Sequence, residues 1–276
     1  MRIDSHHHFW KYSAKEYDWI SNEMSVIRRD FLPPHLSAEI KQAGIDAVVS
    51  VQARQSVEET RFLLDFASRN PFIKGVVGWV PLVAKDAARQ IEAFHGHPKL
   101  RGFRHVVQGE PDDAFILRPD FNEGIKALHH WGYIYDILIF EKHLPNSIVF
   151  VDRHPQQVFV IDHIAKPVIK TNSFDAWAKN MREMAKRSNV YCKVSGMVTE
   201  ADWKNWTPAQ LQRYFDTVLE AFGPRRLMFG SDWPVCLVAC GYGKWVKTVE
   251  AAYAKLSADE KAWIFGKTAR AAYDLK

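Results

Sequence analysis

Eight short runs of apolar and β-branched residues recur along the chain: Arg2–Phe9, Ile45–Ala53, Ile73–Leu82, Lys99–Val107, Tyr133–Phe140, Gln157–His163, Asn189–Ser195 and Arg226–Asp232. Most are nearly continuous in apolar character, the pattern of strands covered on both faces in a parallel sheet. Between most of them lie longer stretches with helical spacing and recognisable starts. Ser56-Val-Glu-Glu59 has the capping-box pattern and opens a helix carrying Phe62, Leu63 and Phe66. Ser173 precedes Phe174, Trp177, Met181 and Met184, and Ser257-Ala-Asp-Glu260 caps the terminal helix. Thr207-Pro208 puts proline at a first helical position ahead of Leu211, Phe215, Val218 and Leu219. Strands alternating with helices predict parallel βαβ units. No Ser/Gly linker or composition shift divides the chain, so residues 1–276 read as one domain of the α/β class, a single (β/α)8 or TIM barrel. A doubly wound sheet is the competitor, but no Gly-x-Gly-x-x-Gly follows the first run.

Composition agrees with that reading. A length of 276 residues suits one such barrel, typically about 250 residues. Hydrophobic residues at 47% and charged residues at 25% argue against disorder. No leader-like start and no apolar stretch near 18 residues are found, so a soluble, unexported chain without a membrane partner is expected. The three cysteines, Cys192, Cys236 and Cys240, are too few and odd in number for a disulfide framework. Free thiols in a reducing cytoplasm are expected. The net charge of +5 is scattered, with never more than two adjacent basic residues, which describes a solvated surface rather than a nucleic-acid partner.

In (β/α)8 barrels chemistry sits at the C-terminal ends of the strands. The first run ends Asp4-Ser5-His6-His7-His8-Phe9-Trp10. Alternation along a strand points His6 and His8 together and His7 away, a pair that can chelate one ion. The plain alternative is a polar strand end or a tag remnant. The sixth run ends in Asp162-His163, where a satisfied core histidine is the plain alternative. The eighth ends Gly230-Ser231-Asp232-Trp233, where a helix N-cap would explain Asp232. Placed on one rim, His6, His8, His163 and Asp232 meet the needs of a mononuclear metal site, or of an activated water held without metal.

These strand ends resemble the amidohydrolase superfamily, and the fuller pattern is similar to the sugar-lactonase branch of its family 2. The matching segments are Ile3-Asp-Ser-His-His-His-Phe-Trp10, Arg29-Asp-Phe-Leu-Pro33, Val51-Gln-Ala53 and Leu100-Arg-Gly-Phe-Arg-His105. They continue through Ile161-Asp-His-Ile-Ala-Lys-Pro167, Tyr191-Cys-Lys-Val-Ser-Gly196, Thr199-Glu-Ala-Asp-Trp203 and Phe229-Gly-Ser-Asp-Trp-Pro-Val235. The resemblance implies an amidohydrolase-type barrel that opens lactones such as L-fucono-, L-rhamnono- or L-galactonolactone, or dicarboxylate lactones, in carbohydrate or aromatic catabolism. Binuclear relatives carry a lysine on strand four and many a histidine on strand five. Here strand four ends Phe103-Arg104-His105 and strand five carries Asp136, so a two-metal centre is not expected. One divalent ion, zinc or manganese, fits His6, His8, His163 and Asp232, and metal-independent catalysis fits the same residues.

Lactone hydrolysis needs a nucleophilic water, a polarised carbonyl and a proton for the leaving alkoxide. Asp232 is the expected general base and His163 its catalytic companion. Arg104, Gln52 and the strand-end tryptophans Trp10, Trp79 and Trp233 are the expected substrate contacts; an ion pair, a capped loop and core packing are the respective alternatives. Only one of Arg104 and His105 should face the barrel. Lys193 and Ser195 share a face, but no second feature supports a Ser–Lys nucleophile. Two rivals remain: a decarboxylase or hydratase of the same superfamily acting on an aromatic or muconate-type acid, and a non-catalytic sugar-binding barrel. Trp263, Ile264, Phe265 and Tyr273 of the terminal helix either pack the barrel bottom or meet a partner in a homodimer.

Overall fold

The computed structural model describes residues 1–276. Eight parallel strands follow one another around a barrel in sequence order: β1 Ile3–His7, β2 Ala47–Val51, β3 Ile73–Gly78, β4 Leu100–Val106, β5 Ile134–Leu138, β6 Phe159–Ile161, β7 Val190–Val194 and β8 Leu227–Phe229. The helices are α1 Pro33–Ala43, α2 Val57–Arg69, α3 Ala87–Glu92, α4 Pro119–His130, α5 Leu144–Asp152, α6 Asp175–Met184, α7 Pro208–Phe222, α8 Tyr242–Ala252, α9 Ala258–Ala262 and α10 Thr268–Ala272. No helix is long and apolar enough to cross a membrane.

The seam between β1 and β8 is closed beyond the last strand rather than along it. Asp232 N–H donates to the His6 carbonyl (2.8 Å) and His8 N–H to the Trp233 carbonyl (2.7 Å). Buried Asp4 accepts from the backbone of both His6 and Ser231, and from the Tyr242 hydroxyl. Burial pushes its carboxyl up to about 6, against the pull of those donors. Barrel closure and the placement of two candidate ligands are therefore one set of hydrogen bonds.

The apolar core divides in two. The larger cluster, which includes Phe103, Tyr135, Ile161 and Val194, lies between strands and helices. A smaller one, including Ile3, Val49, Val77, Ile134 and Met228, is sealed from below by Ala269, Tyr273 and Leu275. Ile264, Phe265 and Tyr273 are all buried, so the terminal segment packs on the barrel. Along β5 the alternation sends Tyr135 and Ile137 toward the helices and leaves Ile134 and Asp136 inside.

Four local expectations need revision. The strands are shorter than the apolar runs: β6 stops at Ile161 and β8 at Phe229, so His163 and Asp232 sit on the loops that follow. Ser56 does cap α2 through Glu59 N–H, but the Glu59 carboxylate turns away to Ala53 N–H, Arg54 and Tyr17 and does not close a capping box. Helix α6 begins at Asp175, and Ser173 donates to Glu141 instead of capping it. Ser257 and Glu260 do form the reciprocal box, yet the terminal helix is interrupted by a π-helical turn at Trp263–Lys267.

Candidate active site

His6 Nε2 and His8 Nε2 lie 3.2 Å apart, and Asp232 Oδ1 lies 3.3 Å from His8 Nε2 and 3.8 Å from His6 Nε2. His8 Nδ1 lies 2.8 Å from the Val51 carbonyl, which only accepts, so Nδ1 carries the proton and the Nε2 lone pair faces the cluster. Four-coordinate zinc with bonds of 2.0–2.1 Å needs ligand atoms about 3.3 Å apart. The spacing of His6, His8 and Asp232 therefore fits one divalent ion. His7 points the other way, to Ser50 Oγ at 2.9 Å.

His163 reaches the same carboxylate, its Nε2 lying 3.8 Å from Asp232 Oδ1 and its Nδ1 2.8 Å from Ser195 Oγ. It arrives by an unusual route. His163, Ile164, Ala165 and Lys166 have φ of 54°, 48°, 60° and 46°, four successive non-glycine residues in the left-handed region. Such a conformation costs roughly 1–2 kcal/mol per residue. Lys166 N–H donating to the His163 carbonyl (2.9 Å) and Trp177 Nε1 donating to the Ile164 carbonyl (2.7 Å) hold the turn. Ile164 and Ala165 are packed in the core, while His163 and Lys166 both line the cavity. Gly196 makes room: a Cβ there would lie 2.5 Å from His163 Nδ1. At Gly230 a Cβ would stand 2.8 Å from the His6 Cβ, the close backbone approach its place in the chain suggests.

Beneath the imidazoles lies a fully buried ionic bed. Lys193 Nζ is 2.6 Å from Asp136 Oδ2, 2.9 Å from Asp162 Oδ1 and 3.1 Å from His6 Nδ1. Arg104 Nη1 donates to Asp162 Oδ2 (2.9 Å) and approaches His6 Nε2 at 3.3 Å. His6 Nδ1 thus sits between an acceptor, Asp162 Oδ1 at 3.2 Å, and the Lys193 donor. With Nδ1–H given to Asp162, Nε2 is free to take an ion. With Lys193 donating to Nδ1, Nε2 carries the proton instead. Tyr273 donates to Asp136 from below at 2.8 Å.

Burial and neighbouring charges compete in setting the titration of these groups. Burial lowers His6 well below the usual imidazole range, with Asp162 pulling the other way and Lys193 and His163 adding to the effect. It brings His163 down to about 4 against the pull of Asp232 and Asp162. For Asp232 burial alone would raise the carboxyl, but His163, His8 and Lys166 outweigh it and hold it below its ordinary value. Burial would raise Asp162 in the same way, yet Lys193, His6 and Arg104 overcome it and take the carboxyl well below the usual range. Asp136 is pushed up to about 6 by burial and by Asp162, in spite of Lys193. Near neutral pH the His6 and His163 imidazoles are neutral beside the ionised Asp232 and Asp162 carboxylates.

A cavity of about 190 Å³ opens over this cluster. Its polar wall is His8, Arg104, Gln108, His163, Lys166 and Asp232, and its apolar wall is Trp19, Ala53, Val106, Leu138 and Val235. Of the residues expected to touch substrate, Arg104 lines it. Gln52 does not: its side chain is folded under Arg104, accepting from Nη2 at 3.0 Å and donating to the Arg104 carbonyl at 3.3 Å. Trp10 and Trp233 are buried in an aromatic cluster with Phe31, and Trp79 donates to His105. His105 faces away from the barrel, stacked on Phe115 and bound to Glu110. Lys193 and Ser195 engage different partners, so no Ser–Lys pair is formed. Trp19, Gln108, Lys166 and Asp162 escape the sequence reading. Asp162 and Lys166 flank His163 within a single quoted segment, whereas Trp19 lies in the long β1–α1 connection without periodicity to mark it.

An L-fucono-1,5-lactonase from Burkholderia multivorans is 42% identical to this chain, covering 100% of it and 96% of the relative. A second L-fucono-1,5-lactonase, from Burkholderia ambifaria, is 38% identical over 98% of the chain and 94% of the relative. The solved structure of an amidohydrolase from Burkholderia multivorans with bound zinc superposes with a TM-score of 0.97 at 42% identity, covering 100% of both chains. The profile described as amidohydrolase matches residues 3–275. With the imidazole and carboxylate cluster at the barrel mouth and that profile running through nearly every residue, the chain belongs to the amidohydrolase family.

Proposed function

We propose that this chain is a lactonase that opens a sugar-acid lactone, with L-fucono-1,5-lactone as its substrate. The observation that carries the reading is Asp232, an ionised carboxylate held between His8 and His163 on the floor of a cavity with room for one sugar ring. Substrate identity is taken from two relatives matched over nearly their whole length. Asp232 orients a water and takes its proton as the oxygen attacks the lactone carbonyl. Arg104, anchored by Asp162 and Gln52, places a fixed positive charge at the cavity to stabilise the tetrahedral oxyanion. His163, kept neutral by burial and fixed by Ser195, holds the carboxylate and water in line. A divalent ion, zinc by analogy with the relative's structure, would be held by His6, His8 and Asp232, and when bound supplies Lewis acidity to the carbonyl or to water. Trp19, Val106 and Leu138 form an apolar wall suited to the methyl group of a 6-deoxy sugar.

The barrel is taken to be one domain acting in the cytoplasm, where three unpaired thiols are stable. The decarboxylase or hydratase reading and the non-catalytic barrel are not favoured, since the full-length relatives are lactonases. The test is a pH-indicator hydrolysis assay on L-fucono-1,5-lactone beside L-rhamnono- and L-galactonolactone, before and after chelation, with bound metal quantified. Turnover of the fuconolactone above the others supports the assignment. Loss on chelation with recovery on added zinc assigns the ion, and survival of full activity without metal removes it. No turnover of any lactone refutes the reading.

A further inference from the structure

Two oxygens gain negative charge when a lactone is hydrolysed: the carbonyl oxygen on attack, and the ring oxygen as the acyl C–O bond breaks. The donor assigned to the first is Arg104, which lines the cavity. One cationic donor of the cavity wall, Lys166, is held only by a long ion pair. The Lys166 ammonium has no hydrogen-bond partner; Glu200 Oε1 stands 3.7 Å away and the Phe140 ring centroid 5.6 Å. Its side chain is largely sequestered, with 16% of its surface exposed, and it lines the same cavity as Asp232 and His163. The left-handed turn brings His163 and Lys166, three residues apart, to this one cavity, so the strained backbone serves both side chains at once.

We propose that Lys166 is a further catalytic residue whose ammonium donates to the departing ring oxygen, with Glu200 as the positioning residue that aims it. The proposal rests on the lactonase reading above. Water oxygen bonds to the acyl carbon and its proton passes to Asp232. The acyl C–O bond then breaks, the electron pair goes to the ring oxygen, and that oxygen takes a proton from the Lys166 ammonium to become a hydroxyl. Solvent reprotonates the amine, Asp232 returns its proton to solvent, and the new carboxylic acid ionises. One proton is released per lactone opened.

The test compares wild type, Lys166→Met, Lys166→Arg and Glu200→Gln on L-fucono-1,5-lactone, with kcat, KM and melting temperature measured for each. Lys166→Met should lose about 100-fold in kcat with KM held within about threefold, because the contact matters most in the transition state. Lys166→Arg keeps a cationic donor and should recover at least about tenfold of that loss, and Glu200→Gln should cost about tenfold in kcat. Unchanged kcat in Lys166→Met, or a change confined to KM, overturns the proposal. Equal losses in the methionine and arginine variants together with a lowered melting temperature overturn it as well, by assigning a structural role. A Glu200→Gln enzyme with wild-type kcat removes the aiming role. Failure of the wild type on every lactone refutes the lactonase reading itself, before any variant is compared.

Discussion

Replacing Lys193 by methionine separates the ionic bed beneath the site from the site itself. The methionine fills nearly the same space and removes the only ammonium within reach of Asp136 and Asp162, at 2.6 and 2.9 Å. All three side chains have no exposed surface. Asp162 keeps Arg104, but Asp136 keeps only the Tyr273 hydroxyl. Stranding one member of a buried ion pair costs about 3–5 kcal/mol. At about 2–4 °C per kcal/mol for a chain near this size, the melting temperature should fall by about 6–20 °C. Asp136→Asn alone leaves Lys193 paired with Asp162 and should cost less, about 1–3 kcal/mol. Because Asp136→Asn removes the very charge that Lys193→Met strands, the double variant should recover about 1–3 kcal/mol against the sum of the single effects. Thermal melts followed by circular dichroism at one fixed pH read all four proteins. A Lys193→Met protein that melts within about 2 °C of wild type, or strictly additive variants, would refute the account of the bed as a stability element.

Asp232→Asn should lose turnover by about 10³-fold while retaining affinity for the aldonate product by calorimetry; unchanged turnover would remove the general-base role. His163, brought down to about 4 by burial, resists a proton that the unfolded chain accepts near pH 6.5. Its contribution is therefore present above pH 6.5 and lost as pH falls toward 4, so a His163→Gln protein should lose less stability over that window, by about 3 kcal/mol; parallel pH curves for the two proteins would contradict this. Gln108 Oε1 is buried at the cavity with no partner, an acceptor waiting for a ligand hydroxyl. Gln108→Leu should raise KM for a hydroxylated lactone about tenfold and leave kcat within about threefold. Removing the indole in Trp19→Ala should raise KM for the 6-deoxy lactone more than for its 6-hydroxy counterpart, and equal effects would deny the apolar wall its role.

The parts of this molecule that obey a simple period could be read before any coordinates. Alternation along β1 separates His6 and His8 from His7, and alternation along β4 separates Arg104 from His105. That projection fails where the strands stop. Beyond Ile161 the chain winds left-handed, a conformation that no composition signal marks without glycine, so Lys166 gave no hint that it shares a cavity with His163. The tryptophans went astray for a different reason. Position near a strand end says nothing about rotamer, and Trp10 and Trp233 turn outward to pack on Phe31 while Trp19, from a connection without periodicity, takes the cavity wall. Gln52 shows a third limit: its end-of-strand place is right for a ligand contact, but Arg104 consumes both ends of its amide, the guanidinium donating to the oxygen and the backbone carbonyl accepting from the nitrogen. Asp162 is hidden in an apolar run whose buried charge makes sense only once Lys193 and Arg104, distant in sequence, are beside it.

The Tyr273 hydroxyl ties assembly of the catalytic mouth to the opposite end of the barrel. It holds Asp136, Asp136 holds Lys193, and Lys193 abuts His6. A polypeptide that stops or is clipped before Tyr273 would still possess every histidine and carboxylate named in the chemistry. It would nonetheless lack the strut on which the first of those histidines stands. An exopeptidase trimming past the exposed Asp274 to Tyr273 would remove that strut from the end of the barrel opposite the cavity.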